Sequence, residues 1–183
     1  MKKRCNWVNL NNPLYVDYHD NEWSKPLHDD KKLFEFLILE GFQAGLSWEC
    51  ILNKRDSFRD AFDNFDVDII SSYDEDKINN LLHNSNIIRN RLKINAAIIN
   101  ARVFKDITHE FGSFDNYIWS FTDNKIIVED YSLRTTSPLS DEISKDLKKR
   151  GMKFVGSTII YSYLQAIGII FAHGKECDFS VDK

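Results

Sequence analysis

Two cysteines and two histidines near the ends of the sequence are of the residue types that bind metal ions. Cys5 and His19 lie near the N-terminus, and His173 and Cys177 lie near the C-terminus. One helical turn or tight loop can present His173-x3-Cys177 to a single ion, and four such ligands form a closed, structural zinc site without a position for water. Such a site would join two segments that usually fray. Cys5-x13-His19 is not a standard finger interval, so unliganded, ordinary terminal residues are the alternative.

Glu40 is a carboxylate on the apolar face of a predicted helix. It follows Phe36 by four residues and Leu37 by three, which points its side chain toward the interior. It also lies at the predicted C-terminal end of that helix, where the macrodipole disfavours an anion. A buried acid is costly there unless a cation or hydrogen-bond donors meet it. The alternative is a surface acid in a frayed last turn.

Aromatic residues are concentrated in the same part of the chain, which holds three of the four tryptophans. The aromatic residues of interest are Trp7, Tyr15, Tyr18, Trp23 and Trp48. An aromatic-walled pocket that contains one carboxylate would bind a flat cation. Aromatic clusters are more often part of a hydrophobic core, and that interpretation stays open at this level.

The stretch "LKKRGMKFVGSTIIYSYLQ", residues 147–165, has the pattern of two helices joined by a glycine-containing turn. A basic helix is predicted to end at Gly151, and Gly156 with Ser157 or Thr158 opens the next helix. Glycines let the backbone approach a phosphate, and the amides of a helix start bind anions. A helix-hairpin-helix holds a DNA backbone in this way without reading sequence. A simple helical turn with solvated lysines is the alternative.

Together, a phosphate anchor and a pocket for a flat cation indicate an enzyme that extrudes an altered base from DNA. Alkylation of a purine ring nitrogen leaves a positive charge on the base and weakens its bond to the sugar. The cationic base is therefore the guest that the pocket residues predict.

The elements that must position these residues are predicted to be helices. The expected elements are a helix capped by Asp29 or Asp30, carrying Leu33 to Glu40 and ending at Gly41; a helix opened by Ser47; a long helix marked by Ile87 to Ala101; a helix with Ile143 and Leu147; a last helix from Ile160 to Phe171; and one short strand-like run, Lys125 to Val128. We therefore expect an all-α fold, with residues 1–183 as a single unit and the hairpin at about 141–171.

Composition is that of a globular protein of 183 residues with 28% charged residues and a net charge of −4. Basic residues cluster within 87–105 and 145–153, which leaves room for one positive face on an acidic chain. No segment is apolar over the ~18 residues of a membrane span. The start "MKKRCNWVN" has no apolar signal core, and three cysteines cannot all pair. These features predict a cytoplasmic protein.

Motifs along nearly the whole chain resemble the 3-methyladenine DNA glycosylase I family, within the helix-hairpin-helix glycosylases. They are "RCNWV", "PLYVDYHDNEW", "LFEFLILEGFQAGLSWECILNKR", "IIRNRLKINAAIINAR", "WSF", "LKKRGMKFVGSTIIYSYLQAIG" and the closing His-x3-Cys. The resemblance implies a helix-hairpin-helix glycosylase fold and a monofunctional hydrolase, which releases free 3-methyladenine from alkylated double-stranded DNA. We expect a monomer without a membrane partner.

The resemblance also implies roles for individual residues. Glu40 would hydrogen-bond the methylated adenine, and Leu46 would enter the gap in the duplex. The base-pocket residues would be Trp7, Tyr15, Tyr18, Trp23 and Trp48; the hairpin residues on DNA would be Gly151, Lys153, Gly156 and Ser157; one structural zinc ion would be held by Cys5, His19, His173 and Cys177.

The sequence departs from the family pattern at three positions, where Ser24 and Asn6 replace common glycines and Met152 replaces a common phenylalanine. We expect these changes to affect only loop conformation. No lysine nucleophile is evident beside the hairpin, since Lys153 is better placed for phosphate, and Asp178 does not lie in the superfamily's aspartate pattern. Two other classes remain: a non-catalytic helical DNA-binding protein, and a zinc hydrolase that uses His19-x-x-Glu22.

Overall fold

Residues 2–180, the part of the chain that the computed structural model describes, fold into ten α-helices and two very short strands. The elements are α1 (Pro13–Asp17), a π-helical turn (Tyr18–Glu22), α2 (Asp30–Gln43), α3 (Trp48–Leu52), α4 (Arg55–Ala61), a 3-10 turn (Asp63–Phe65), α5 (Val67–Ser71), α6 (Glu75–His83), α7 (Arg91–Phe111), α8 (Phe114–Ser120), β1 (Ile127–Val128), α9 (Pro138–Lys149), α10 (Ser157–Ala166) and β2 (Ile170–Phe171). The predicted all-α class is confirmed. Within these residues, no helix combines the length and apolar character needed to cross a membrane.

Helix α2 lies at the centre of the molecule and is buried from residue 33 to residue 42. It packs against α3, α7, α8 and α10, so it touches most of the elements that form the site. The predicted cap is confirmed, because the Asp29 carboxylate accepts a hydrogen bond of 2.8 Å from the Lys32 amide. Glu40 lies on this buried helix, four per cent exposed.

The predicted end of α2 at Gly41 is wrong, because the helix continues to Gln43. A Cβ atom at Gly41 would lie 3.5 Å from Cβ of Phe154 in the turn between α9 and α10, an ordinary van der Waals distance. The turn between α9 and α10 therefore packs on α2 next to Glu40.

Helices α9 and α10 form the predicted pair. Ser137 and Ser140 form a capping box at the start of α9, and α10 begins at Ser157 after Gly156, as predicted. Helix α9 ends at Lys149 rather than at Gly151, which instead adopts a φ of 106° in the turn. Glycine is the residue best suited to this conformation.

The last helix is shorter than predicted and is followed by an unpredicted strand. Helix α10 ends at Ala166, and Gly168 follows with a φ of 75° at a point where a side chain would overlap the Lys25 backbone. The chain then forms β2, which pairs in parallel with β1 at the predicted strand-like run. This pairing joins the segment after α8 to the segment that carries His173.

The long helix α7 begins at Arg91, where the Asn90 side chain caps it by accepting a hydrogen bond from the Lys93 amide. The prediction that included Ile87 in this helix is wrong, since Ile87 is a buried residue of the preceding loop. Helix α7 packs against α2, α5, α6 and α8 and spans the molecule behind the site.

Candidate active site and metal cluster

The aromatic residues singled out in the sequence line one cavity of about 230 Å³ together with Glu40. Its lining residues are Trp7, Tyr15, Tyr18, Trp23, Glu40, Gln43, Trp48, Tyr131, Ser162 and Gln165. Trp7 packs edge-on to Trp23 with ring centroids 4.8 Å apart, and Tyr18 lies 5.4 Å from Trp48. The rings are therefore neither dispersed through the core nor exposed, but arranged around a space of small-molecule size.

The Glu40 carboxylate has no hydrogen bond or ion pair within residues 2–180. Burial alone raises its pKa to about 8, because no nearby cation or donor offsets the loss of solvation. The neighbouring acid Glu35 illustrates the usual arrangement, since it is buried but receives hydrogen bonds from Arg55 and Arg59. Glu40 therefore lies in the cavity with its acceptor capacity unused.

Two buried donors on the cavity wall also lack partners. Trp48 Nε1 and Gln165 Nε2 have no hydrogen-bond acceptor within the described residues. The Gln165 amide lies near the Tyr161 hydroxyl, but outside hydrogen-bonding geometry. Buried polar groups are nearly always paired in folded proteins. The unsatisfied groups thus define a ligand that offers a donor to Glu40 and acceptors to the other two side chains.

A π-helical turn, Tyr18–Glu22, lets neighbouring residues face two different sites. Tyr18 lines the cavity, whereas His19, fully buried, joins the cysteines and the other histidine. Trp23, which ends this turn, packs edge-on against the His173 ring with centroids 4.8 Å apart. Two polar residues of "YHDNEW", His19 and Asp20, therefore serve a metal-type cluster that shares a wall with the cavity.

The four predicted ligands, Cys5, His19, His173 and Cys177, come together with their donor atoms all within 4.8 Å of one another. Cys177 Sγ lies 3.6 Å from His19 Nε2 and 3.5 Å from His173 Nδ1, and Cys5 Sγ lies 3.8 Å from His173 Nδ1. Bonds of about 2.3 Å to sulfur and about 2.0 Å to nitrogen around one tetrahedral ion require ligand separations of this size. The cluster could hold a metal ion.

The surroundings of the cluster also suit a metal ion. His19 Nδ1 lies 2.8 Å from Asp20 Oδ1, so a carboxylate orients the ring from the side away from the cluster. Asp20 is itself paired with Arg4 at 2.6 Å. Burial raises the pKa of the Cys5 thiol to about 12 and lowers the pKa of His173 to about 4, so a cation is needed to hold the thiol as a thiolate.

Leu46 follows α2 on an exposed turn, with 41% of its surface accessible. A groove of about 180 Å³ runs from this turn to the start of α10 and shares Glu40, Gln43 and Ser162 with the aromatic cavity. The Leu46 turn and the first turn of α10 therefore border the mouth of the cavity.

The hairpin between α9 and α10 presents backbone groups rather than hydroxyl groups toward the side of the molecule where the cavity opens. The Ser157 hydroxyl is engaged by Asp141 at 2.5 Å and by Ser140 at 2.8 Å, so its free donor is the backbone amide at the start of α10. A side chain on Gly156 would meet no atom within 4 Å, which leaves space in front of the turn. Lys153 is exposed between the two glycines.

Most of the first basic cluster, residues 87–105, is occupied by contacts within the protein. Arg91 pairs with Glu75, Arg102 donates to the Ser71 carbonyl, and Lys105 pairs with Asp68. In the second cluster, Arg150 pairs with Glu110 and Asp146, whereas the remaining lysines are exposed: Lys145, Lys148, Lys149 and Lys153. Of the two basic clusters, the one at the hairpin therefore presents more exposed positive charge.

Comparison with known proteins agrees with this geometry. The family model described as methyladenine glycosylase matches residues 7–181. The chain belongs to the methyladenine glycosylase family.

Individual relatives cover nearly all of the chain. It is 43% identical over 179 residues to DNA-3-methyladenine glycosylase 1 of Escherichia coli (strain K12), covering 96% of this chain and 95% of the relative. A crystal structure of 3-methyladenine DNA glycosylase I matches with a TM-score of 0.92 at 45% identity, covering 97% of this chain and 99% of that one. A variant of 3-methyladenine DNA glycosylase I in complex with 3-methyladenine matches with a TM-score of 0.88 at 34% identity, covering 91% of this chain and 92% of that one.

Family membership confirms the predicted resemblance and disfavours both other classes. The zinc-hydrolase alternative needed Glu22 beside the metal ligands, but both Glu22 carboxylate oxygens accept hydrogen bonds from Arg55, at 2.9 and 2.7 Å. A non-catalytic helical DNA-binding protein would not require a buried, partnerless carboxylate such as that of Glu40 in an aromatic cavity.

The three departures from the family pattern lie in defined environments. Ser24 has a φ of 62°, a conformation that favours glycine, and its hydroxyl accepts a hydrogen bond of 3.0 Å from the Ala172 amide. Asn6 accepts a hydrogen bond from the Tyr131 hydroxyl, and Met152 is buried in the core.

Four residues of the cavity were missed by the sequence analysis: Gln43, Tyr131, Ser162 and Gln165. Gln43 and Gln165 resemble ordinary polar residues of helices in sequence. Tyr131 reaches the cavity only because β1 pairs with β2, and no local pattern signals that pairing.

Proposed function

We propose that this chain is a monofunctional DNA-3-methyladenine glycosylase of base excision repair. It hydrolyses the N-glycosidic bond of 3-methyladenine in alkylated double-stranded DNA, releases the free base and leaves an abasic site. The observation that carries the proposal is the buried, partnerless Glu40 carboxylate in an aromatic cavity whose wall also holds two unpaired donors. The similarity to glycosylases named for this base supports the same assignment.

The unsatisfied groups match the hydrogen-bonding pattern of the methylated base. The exocyclic amine of adenine donates, which suits Glu40, and its ring nitrogens accept, which suits Trp48 Nε1 and Gln165 Nε2. Tyr15, Tyr18 and the tryptophans provide flat faces for stacking. Unmethylated adenine offers the same amine without a ring charge, so selection depends on cation–π attraction and on the Glu40 charge.

Little acid catalysis is needed once the base is extruded. The methylated base in the nucleoside is already cationic, so the electron pair of the breaking C1′–N bond neutralises the ring as water adds to C1′. The cavity then needs only to hold the extruded base, exclude other guests and admit one water molecule.

The groove beside the cavity is the proposed DNA side. Leu46 would fill the gap that the extruded base leaves. Among the hairpin residues Gly151, Lys153, Gly156 and Ser157, a phosphate would be held by the Gly156 and Ser157 backbone amides and by the Lys153 ammonium group. The Gly151 and Lys153 amides instead donate within the protein, to the Lys148 carbonyl and to the Asn100 side chain. The groove that joins the Leu46 turn to α10 supports this placement.

The bound metal is proposed to be one zinc ion held by the Cys2His2 cluster. Four protein ligands leave no position for water, so the ion would supply structural stability and no chemistry. Trp7 and Trp23 pack on both the cluster and the cavity, through contacts with His19 and His173. The ligand cluster therefore also positions the aromatic wall of the base pocket.

Release of free methylated base from alkylated DNA tests the proposal. Wild-type protein should release 3-methyladenine from methylated duplex DNA without cutting the strand, and Glu40→Gln should be much slower. Binding to the duplex without release of any base would overturn the enzyme assignment and favour a DNA-binding protein.

A further inference from the structure

Two polar side chains on one face of α7 reach the Leu46 turn and the turn between α9 and α10. Lys93 and Asn100 are seven residues apart, which is two turns of an α-helix, so they point in the same direction about 10 Å apart. Lys93 is seven per cent exposed and Asn100 four per cent exposed. Neither side chain is therefore available to touch DNA, and both act inside the protein.

Lys93 holds the turn that carries Leu46. Its ammonium group donates to the carbonyl oxygens of Phe42, at 2.7 Å, and Ala44, at 2.6 Å. The last carbonyls of a helix lack partners within the helix, and a cation at that end is favourable. Within the turn itself, the Leu46 amide donates to the Gln43 carbonyl at 2.6 Å, and Gly45 has a φ of 80° with open space around it. The ammonium of Lys93 thus fixes where this turn leaves α2.

Asn100 holds the hairpin from the other end of the same face. Its amide nitrogen donates to the Lys153 carbonyl at 2.9 Å, and its amide oxygen accepts from the Lys153 amide at 2.8 Å. Both backbone groups of Lys153 are therefore occupied by one side chain. Phe154, the next residue, has a φ of 54°, a conformation that a non-glycine residue adopts only when neighbouring structure holds it.

The three elements pack together with almost no free space. The gap enclosed by α2, α7 and Phe154 measures about 10 Å³, less than one water molecule occupies, and both Lys93 and Asn100 line it. A close-packed joint of this kind transmits a displacement of one element to the others.

We propose that α7 is a rigid spacer that sets the distance between the Leu46 turn and the hairpin through Lys93 and Asn100, so that both segments engage one duplex at the same time. This inference rests on the proposed function for its DNA contacts. Two weak contacts held at the correct separation reinforce each other, because the second forms intramolecularly once the first has formed. Lys93 and Asn100 are positioning residues, since neither touches the base or the DNA.

The test uses the full chain and two probes: a duplex with one stable abasic-site analogue, and free 3-methyladenine. Lys93→Met and Asn100→Ala should each weaken duplex affinity about ten-fold, the effect of losing two hydrogen bonds to a buried partner. Affinity for free 3-methyladenine should stay within about two-fold of wild type, because the cavity residues are untouched. Lys105→Met, on the same helix but paired with Asp68 at the surface, is the matched control and should bind both probes normally.

Conservative variants and the double variant separate positioning from general destabilisation. Lys93→Arg keeps donors for both carbonyls and should restore duplex affinity, and Asn100→Asp keeps only the acceptor and should show an intermediate loss. If the spacing between the two segments determines duplex affinity, either single variant already disrupts it. The double variant Lys93→Met/Asn100→Ala should then reduce duplex affinity by a factor far smaller than the product of the two single-variant factors. A reduction in duplex affinity equal to that product would overturn the proposal that α7 is a spacer. Wild-type duplex affinity in the single variants would overturn it as well.

Two further outcomes are decisive. A parallel loss of affinity for the free base would show that the variants disturb the cavity, which also overturns the proposal. Failure of the wild-type protein to bind either probe would contradict the proposed function instead. If Lys93→Met or Asn100→Ala does not fold, the conservative pair decides: wild-type duplex affinity in Asn100→Asp overturns the spacer, and a selective loss supports it.

Discussion

At the scale of single residues, Glu40 is the position where folding and function conflict most directly. Its carboxyl group is buried without a partner, although a glutamine of the same shape would avoid the cost of burying a charge. Active sites commonly retain such unfavourable groups because a ligand satisfies them. Two predictions follow from this conflict, one for binding and one for stability.

Replacement of Glu40 by Gln should weaken binding of free 3-methyladenine. The substitution keeps the shape of the side chain but removes a charge-assisted hydrogen bond to the exocyclic amine, which contributes about 1.5–3 kcal/mol. Titration calorimetry above pH 8, where the Glu40 carboxyl group is ionised, measures the loss directly. Glu49→Gln, an acid outside the cavity lining, is the control and should bind normally. Equal affinities in wild type and Glu40→Gln would place the base elsewhere.

The same substitution should change how stability depends on pH. The pKa of Glu40 is raised from 4.5 to about 8 in the folded protein, so between these values the folded state holds a proton that the unfolded state has lost. Stability from this group therefore falls as pH rises through that window, by up to about 1.4 kcal/mol per pH unit. Glu40→Gln has no such loss.

Denaturant unfolding at pH 5 and pH 8 checks this expectation. The free energy of unfolding of Glu40→Gln, relative to wild type, should be distinctly higher at pH 8 than at pH 5. Other titrating groups affect both proteins alike and cancel in the comparison. A difference that does not change with pH would mean that Glu40 ionises normally.

At the scale of elements, the hairpin between α9 and α10 is the segment on which DNA affinity is expected to depend. Gly156 has an ordinary φ of −62° and open space around it, so Gly156→Val should fold. Because Gly156 is the N-cap of α10, the substitution should lower stability by about 1 kcal/mol or less. Its side chain would occupy the space proposed for a phosphate, so affinity for all duplex sequences should fall alike.

Lys153→Ala gives a second measure of the same element. Removal of one phosphate contact should lower the slope of log affinity against log salt concentration by about 1. Lys145→Ala, which removes an exposed lysine of α9 that lies before the turn, is the control for general loss of positive charge. Unchanged affinity at low and moderate salt in both hairpin variants would argue against a phosphate grip.

The elements themselves were predictable where local chemistry determines them. The Asp29 cap of α2, the Ser47 cap of α3 and the start of α10 after Gly156 all depend on residues within one turn of the boundary. The errors fall where tertiary contacts decide. Helix α2 continues through Gly41, which lies in contact with Phe154 of a distant turn, and α10 ends before Gly168, which lies against the Lys25 backbone.

The candidate site was predictable in its residue types and less so in its full lining. A carboxylate on an apolar face and a set of clustered aromatics are visible in sequence, and these residues lie around one cavity. Tyr131 and Gln165 are brought there by a two-residue parallel strand pair and by the far side of α10, which are long-range arrangements. The orientation of Tyr18 and His19 toward different sites depends on a π-helical turn that periodicity does not reveal.

At the scale of the whole molecule, the Cys2His2 cluster joins segments near the two ends of the described chain. Other contacts between these segments include the Asp178 amide on the Lys3 carbonyl at 2.8 Å, the Lys3 amide on the Asp178 carboxylate, and an exposed ion pair between Lys3 and Glu176. We expect the Cys2His2 cluster to be the main connection between these segments. Its loss should lower stability and disturb the base pocket.

Cys177→Ser should abolish stoichiometric zinc and lower the midpoint of thermal unfolding. Loss of a structural metal costs about 4 kcal/mol or more, and each kcal/mol shifts the midpoint of a chain of this size by about 2–4 °C. Affinity for free 3-methyladenine should also fall, because His19 and His173 support Trp7 and Trp23 in the cavity wall. Cys50→Ser, which changes the one cysteine outside the cluster, should keep the metal, the midpoint and the affinity. Elemental analysis and thermal unfolding of freshly purified protein decide the matter, and a wild-type protein without zinc would rule out the ion.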